Sequence, residues 1–175
     1  MDNKALQDAL NKALNMEEKG CKLYQAASKN CKNDITKKTF DFLAKSEVFH
    51  IESIKKFCDS LKEKGEFPVI EFGNIPPKGK QELTIFLKSI SDLKDKVMRS
   101  DDDKKACEFA LEFENSGYKY YESMLKEAKD ENLVKLLKFL LEEEGKHYEG
   151  IMKLHTYLTD SENWFMYEEG SFPQG

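Results

Sequence analysis

Two short motifs in the sequence combine a glutamate and a histidine at a spacing suited to metal binding. Glu47 and His50 form one Glu-x-x-His motif, and Glu144 and His147 form the other. Residues three positions apart lie on one face of a helix, so a carboxylate oxygen and an imidazole nitrogen can reach the same ion. Carboxylate and imidazole ligands together suit iron, manganese or zinc, whereas copper prefers more nitrogen or sulfur.

Each motif is accompanied by a further glutamate at the same distance. Glu17 lies 30 residues before Glu47, and Glu114 lies 30 residues before Glu144. One Glu-x-x-His motif arises easily by chance in a glutamate-rich chain, but the repetition of the whole spacing does not. This set, two single glutamates plus two Glu-x-x-His motifs on four helices, is typical of dinuclear metal sites in helical bundles.

The apolar residues repeat at helical spacing through four long stretches, which predicts an all-α four-helix bundle over residues 1–160. The stretches form two helical hairpins, at about 3–64 and 102–159, and Asp130 is the expected N-cap of the last helix. The four glutamates and two histidines fall inside the apolar stripes. Four buried carboxylates would each cost on the order of several kcal/mol, and two divalent cations would neutralise them.

The hairpins are joined by a long crossover, residues 65–101. Residues 65–80 contain three prolines and three glycines, and the amphipathic segment near 82–97 predicts a short helix. A connection of this length can run along the whole bundle, which leaves the second and third helices parallel. The C-terminal tail, residues 161–175, has no sustained period.

The two hairpins are similar in sequence. A shift of 97 residues places 13–57 over 110–154 with 16 of 45 positions identical, which indicates a duplication with a central, pseudo-two-fold site. The identities include Tyr24 with Tyr121, each seven residues after its glutamate. These tyrosines could hydrogen-bond a metal-binding carboxylate of the opposite half, or they could be ordinary core residues.

The segments EEKGCKLY, KSEVFH, ENSGYKYY and EEEGKH resemble the rubrerythrin branch of the ferritin-like superfamily over both hairpins. The resemblance implies a ferritin-like fold and two iron ions, with manganese or zinc as substitutes. The residues that it implies as iron ligands are Glu17, Glu47, His50, Glu114, Glu144 and His147. The sequence departs from the family at Gly117, where rubrerythrins usually carry a further carboxylate.

The resemblance also implies a function, the reduction of hydrogen peroxide or O₂ by two electrons from an adjacent pair of ferrous ions. The four cysteines form no Cys-x-x-Cys pair, so the chain has no rubredoxin module and electrons must come from an external donor such as a rubredoxin. Two alternatives remain. One is a ferroxidase or iron-handling protein without reductant-driven turnover, and the other is a metal-free or zinc-bound structural bundle with a hydrogen-bonded polar core.

Charge and composition limit the partners. The 28 basic residues, 27 of them lysine, are interleaved with 33 acidic residues to a net charge of −5, which argues against nucleic acid. No apolar run is long enough to span a membrane, and the amphipathic start is unlike a secretory signal, so a cytoplasmic location is expected.

A homodimer is expected from the family. The phenylalanines expected to face outward in it are Phe40, Phe49, Phe109 and Phe113.

Four glutamates are close to the predicted ligands in the sequence, and their helical positions predict whether they are buried. They lie off the apolar stripes and are therefore expected to be solvated: Glu18, Glu112, Glu142 and Glu143. His155 lies outside the repeated pattern and is expected to be an ordinary residue near the end of the fourth helix.

Overall fold

The computed structural model describes residues 3–69 and 101–160, and these residues form four long helices. They are α1 (Asn3–Asn30), α2 (Asp34–Lys64), α3 (Asp101–Glu127) and α4 (Glu131–Thr159). The described ranges contain no strand, which confirms the predicted all-α four-helix class. The short helix expected in the crossover and the C-terminal tail lie outside these ranges. None of the four helices combines the length and the apolar character that a membrane span requires.

Side chains that precede α2 and α4 fix where these helices begin. Asn33 accepts hydrogen bonds from two backbone N–H groups of α2. Asp130, the predicted N-cap, does the same for Asn132 and Leu133 of α4. Each such cap stabilises its helix by about 1 kcal/mol. Helix α2 ends at Lys64 and is capped by Gly65, whose φ of 71° places it in the left-handed region that glycine enters without steric cost.

A contact between Asp103 and the start of α2 shows how the hairpins are oriented. The Asp103 carboxylate, fully buried near the start of α3, accepts hydrogen bonds from the backbone N–H groups of Lys32 at 2.9 Å and Asn33 at 2.7 Å. Helices α2 and α3 therefore begin at the same end of the bundle and run parallel, as the length of the crossover predicts. An acidic group is favourable here because the N-terminus of a helix carries a partial positive charge.

The apolar core consists of two clusters, one toward each end of the bundle. One contains Tyr24, Leu43, Cys107 and Ile151 among its buried residues. The other contains residues such as Leu10, Phe57, Tyr121 and Leu137. Along every helix the predicted ligands lie between the residues of the two clusters, so the polar centre is enclosed by apolar side chains at both ends.

The structure corrects the outward assignment of the phenylalanines. Phe40 is fully buried and stacks on Tyr24 with 5.8 Å between the ring centroids, and Phe113 packs against the same core cluster. Phe49 packs edge-on against Phe139 at 5.7 Å. The helical period is consistent with an outward position, but neighbouring helices cover Phe40 completely and Phe49 and Phe113 in part. Phe109 alone of the four is largely exposed, at 66%, and the homodimer stays a prediction.

Candidate metal centre

The six predicted ligands converge in the middle of the bundle. None of them is more than 4% exposed, and each of the four helices contributes at least one. The side chains that meet are Glu17 from α1, Glu47 and His50 from α2, Glu114 from α3, and Glu144 and His147 from α4. The duplicated halves thus place their equivalent residues at one site, as the repeat predicted.

The ligand atoms fall into two overlapping groups that share Glu47. In each group, one oxygen or nitrogen of every residue lies within 4.8 Å of those of the others. The first group is Glu17, Glu47, His50 and Glu144, and the second is Glu47, Glu114 and His147. His50 Nδ1 lies 3.2 Å from Glu17 Oε2, and His147 Nδ1 lies 3.3 Å from Glu47 Oε1. Two adjacent groups of donors that share Glu47 would suit a pair of divalent cations.

Several buried atoms of the site have no hydrogen-bond partner among the protein groups. They are Glu47 Oε2, Glu114 Oε2, His50 Nε2 and His147 Nδ1. A buried polar atom left unpaired costs about 1 to 3 kcal/mol, so these atoms call for partners. Three of them, Glu47 Oε2, Glu114 Oε2 and His147 Nδ1, can each offer a lone pair to a cation once deprotonated. The donor set therefore fits two divalent cations, which bind such atoms and cancel the charge of four glutamates.

Burial and mutual repulsion act on the carboxyl groups. Burial, reinforced by a hydrogen bond and the charge of Glu47, raises the pKa of Glu17 to about 7. Burial and then the charge of Glu114 raise the pKa of Glu144 well above its ordinary value. Burial acts in the same direction on Glu47, but a hydrogen bond from Glu17 and the two histidines outweigh it and lower the pKa of Glu47.

Burial and the neighbouring carboxylates act in opposite directions on the pKa values of the two histidines. Burial lowers the pKa of an imidazole, but the carboxylates around His50 outweigh it and raise the pKa of His50 well above the ordinary value. Likewise Glu114 and Glu47 raise the pKa of His147 to about 9. The metal-free cluster therefore neutralises itself by retaining protons, and metals must displace those protons because ligands bind in their deprotonated forms.

Each predicted tyrosine donates a hydrogen bond to a glutamate of the opposite hairpin. The Tyr24 hydroxyl donates to Glu114, and the Tyr121 hydroxyl donates to Glu17. Burial and nearby carboxylates raise the pKa of both tyrosines, so they remain protonated donors. The sequence left open whether Tyr24 and Tyr121 contact the opposite half or are ordinary core residues. In the structure each donates a hydrogen bond to the opposite half.

Replacement of Tyr121 by phenylalanine is expected to weaken metal binding by roughly 10- to 100-fold, the usual cost of losing a group that orients a ligand. The matched control is Tyr120→Phe, because the Tyr120 hydroxyl donates to the Ala9 carbonyl at 2.9 Å and has no part in the site. Affinity is measured by anaerobic Fe(II) titration of both variants. Equal affinities in Tyr121→Phe and Tyr120→Phe would show that the hydrogen bond to Glu17 does not orient a ligand.

Two glycines leave space for bulky or charged neighbours at the site. A Cβ atom at Gly20 would lie 2.7 Å from Phe113 Cε1, and one at Gly117 would lie 3.3 Å from Glu144 Oε2. Gly117, where rubrerythrins usually have a further carboxylate, thus gives room to the Glu144 side chain. A longer residue at position 117 would require the Glu144 side chain to move.

Sequence reasoning missed two residues beside the histidines. Glu143 was expected to be solvated, but its side chain is 21% exposed, and a carboxylate oxygen lies within 4.8 Å of a ring nitrogen of both His50 and His147. Ser46 Oγ lies 2.9 Å from His147 Nε2. Their spacing could have indicated a position near the site, because each lies four residues before a histidine of its own helix.

The other three glutamates near the predicted ligands are exposed or partly exposed, close to what their helical positions predict. Glu142 has a side chain that is 62% exposed, Glu112 is exposed and Glu18 is partly exposed. His155 Nε2 lies 3.6 Å from Glu108 Oε1, and His155 belongs to none of the three candidate metal-binding groups in the described residues.

The comparisons with other proteins give one match. The family model described as Rubrerythrin matches residues 8–155, a range that includes all six residues of the centre. Neither the comparison with curated proteins nor the comparison with solved structures finds a match.

Proposed function

The chain belongs to the rubrerythrin family, and on this basis we propose that it is a di-iron oxidoreductase that reduces hydrogen peroxide or O₂. Its electrons would come from an external donor such as a rubredoxin. The observation that carries the proposal is the convergence of four glutamates and two histidines from both halves into two groups that share Glu47. The buried atoms without hydrogen-bond partners in this cluster support it further.

The six residues of the cluster would bind two metal ions. Glu17, Glu47, His50 and Glu144 would bind one ion, and Glu114 and His147 would complete the second position together with Glu47. When bound, a ferrous pair supplies two electrons to an O–O bond, and a redox-inactive zinc pair cannot. Manganese and zinc fit the same donors, so the identity of the metal rests on the family and is part of the proposal.

The protein around the site would control orientation and access of water. Tyr24 and Tyr121 hold Glu114 and Glu17 by hydrogen bonds from the opposite hairpin. The apolar clusters at both ends exclude bulk water, which strengthens electrostatic interactions within the centre. The four cysteines are free and buried, which fits the reducing, cytoplasmic location that we propose.

The test is a peroxidase assay with defined iron content. The protein is loaded anaerobically with two equivalents of Fe(II), mixed with H₂O₂, and then supplied with reduced rubredoxin and its reductase. We expect a near-ultraviolet absorbance change on mixing and many molecules of H₂O₂ consumed per chain when the donor is present. Tyr120→Phe serves as the control variant that should retain this activity.

The outcomes separate the proposal from its alternatives. Oxidation of several iron atoms per chain by O₂, with no benefit from the reductant, would identify a ferroxidase or iron-handling protein. The absence of bound metal after purification without chelators, together with failure to bind added Fe(II), would identify a structural bundle. Stoichiometric zinc with no peroxide consumption after iron loading would identify a zinc-bound one.

A further inference from the structure

The two histidines of the metal centre differ in the hydrogen bonds at their outer ring nitrogens. His147 Nε2 lies 2.9 Å from the Ser46 hydroxyl. His50 Nε2 is buried without a hydrogen-bond partner, and the nearby acidic group is Glu143, with a carboxylate oxygen within 4.8 Å of a ring nitrogen of each histidine. Ser46 and Glu143 occupy equivalent positions in the repeat. The exchange of a hydroxyl for a carboxylate therefore breaks the two-fold symmetry of the site.

The chemistry of a metal-bound histidine requires a group at this position. Nδ1 of His50 lies 3.2 Å from Glu17 Oε2, and Nδ1 of His147 lies 3.3 Å from Glu47 Oε1, so Nδ1 is the atom that faces the metal positions. A histidine that binds through Nδ1 carries its proton on Nε2. That N–H needs an acceptor, which fixes the ring orientation and increases the basicity of the ligand.

We propose that Glu143 and Ser46 are positioning residues that accept the Nε2 hydrogen bonds of His50 and His147, respectively, and that they make the His50 metal position the tighter of the two. The inference rests on the proposed function, because it assumes two ions bound by the six ligands. Hydrogen bonds to an ionised acceptor are roughly twice as strong as those between neutral groups. His50 paired with a carboxylate is therefore the stronger electron donor to its metal.

Lys146 holds the Glu143 side chain beside the histidines. Its Nζ lies 2.5 Å from Glu143 Oε1 and 2.9 Å from Glu142 Oε1. The two glutamates thus share one cation, but the Glu143 side chain is 21% exposed and the Glu142 side chain is 62% exposed. Only Glu143 belongs to the group with the histidines. Glu142→Gln removes the same charge from the same helix and is the matched control.

The experiment measures the two binding steps separately with Co(II), whose absorption bands report its coordination. We expect two steps in the unmodified chain, for a total of two ions. Glu143→Gln and Glu143→Ser should weaken the tighter step by roughly 10- to 100-fold and so bring the two steps closer together. Ser46→Ala should weaken only the second step, and Glu142→Gln should change neither. Both Glu143 variants alter a partly exposed position, so circular dichroism should show an unchanged helical fold.

Failure of the inference differs from failure of the proposed function. Two Co(II) ions bound with unchanged steps in both Glu143 variants would overturn the positioning role and leave the dinuclear site in place. Binding of three ions that falls to two in Glu143→Gln would also overturn it, because Glu143 would then be a metal ligand in its own right. No Co(II) or Fe(II) binding by the unmodified chain would overturn the proposed function and this inference together.

Discussion

The metal-free protein is expected to lose roughly 10 to 20 °C of thermal stability between pH 5 and pH 9, whereas the metal-loaded protein keeps its stability over this range. The reason is the set of protons that the empty cluster retains. The pKa of Glu17 is raised from 4.5 to about 7, and that of His147 from 6.5 to about 9. A group whose pKa is raised by folding stabilises the folded state below its unfolded pKa, and this contribution is lost as the pH rises through the folded value.

The size of the effect follows from these shifts. One unit of pKa shift corresponds to about 1.4 kcal/mol, so either group contributes roughly 3 kcal/mol, and in a domain of this length each kcal/mol changes Tm by about 2 to 4 °C. Glu47, whose pKa is lowered, loses its stabilising contribution only as the pH falls below about 4.5 and so does not oppose the trend. In the loaded protein, rising pH favours the deprotonated ligands and strengthens metal binding.

The measurement is a series of thermal unfolding curves for chelator-treated and Fe(II)-loaded protein under anaerobic conditions. Glu17→Gln provides the control, because an amide cannot titrate, and the pH dependence of its metal-free form should be smaller. A Tm of the metal-free protein that stays constant from pH 5 to pH 9 would show that the cluster does not retain its protons. An equal decrease in both forms would place the titrating groups outside the site.

Glu47→Gln is expected to abolish binding of both ions, with an affinity loss of more than roughly 100-fold, since even residues that only orient a ligand cost 10- to 100-fold. Glu47 is the residue shared by the two groups. Glu17 belongs to only one of them, so Glu17→Gln is expected to leave about one ion per chain. Metal content measured by mass spectrometry after loading and desalting distinguishes the two results.

Glu142→Gln is the control for the loss of one carboxylate, because the Glu142 side chain is 62% exposed and pairs with Lys146. It should bind two ions. If Glu47→Gln and Glu17→Gln retained the same number of ions, Glu47 would not serve both metal positions. The thermal stability of both variants without metal shows whether a loss of binding is separate from a loss of folding.

Features encoded by short-range spacing could be predicted from the sequence. The Asp130 cap and the convergence of Glu17 with Glu47 follow from local chemistry and from the repeat. The positions of Phe40 and Glu143 do not, because the helical period alone leaves open which neighbouring helix covers the edge of an apolar stripe. Glu143 lies one residue, or about 100°, from the predicted ligand Glu144, and only the packing of α2 against α4 shows that its carboxylate lies beside the histidines.

The hydrogen bonds of Asp103 could not be predicted either. Asp103 is separated by about 70 residues from the backbone groups that it contacts, and no periodicity relates the two segments. Its carboxylate is buried because the start of α2 supplies two donors, so the cost of burying it is offset by a contact between hairpins. Such a pairing depends on the final arrangement of the bundle and not on either helix alone.

The hydrogen bonds of Tyr24 and Tyr121 across the halves also bear on how the site assembles. Each hairpin carries three of the six predicted ligands but lacks the tyrosine that donates a hydrogen bond to its own Glu17 or Glu114. Two separate hairpins would have to meet in solution before any metal could be held. In a single chain the two hairpins meet intramolecularly, so their encounter does not depend on the protein concentration. Covalent linkage thus makes the assembly of the centre independent of protein concentration, and it allows the two halves to differ, as they do at Ser46 and Glu143.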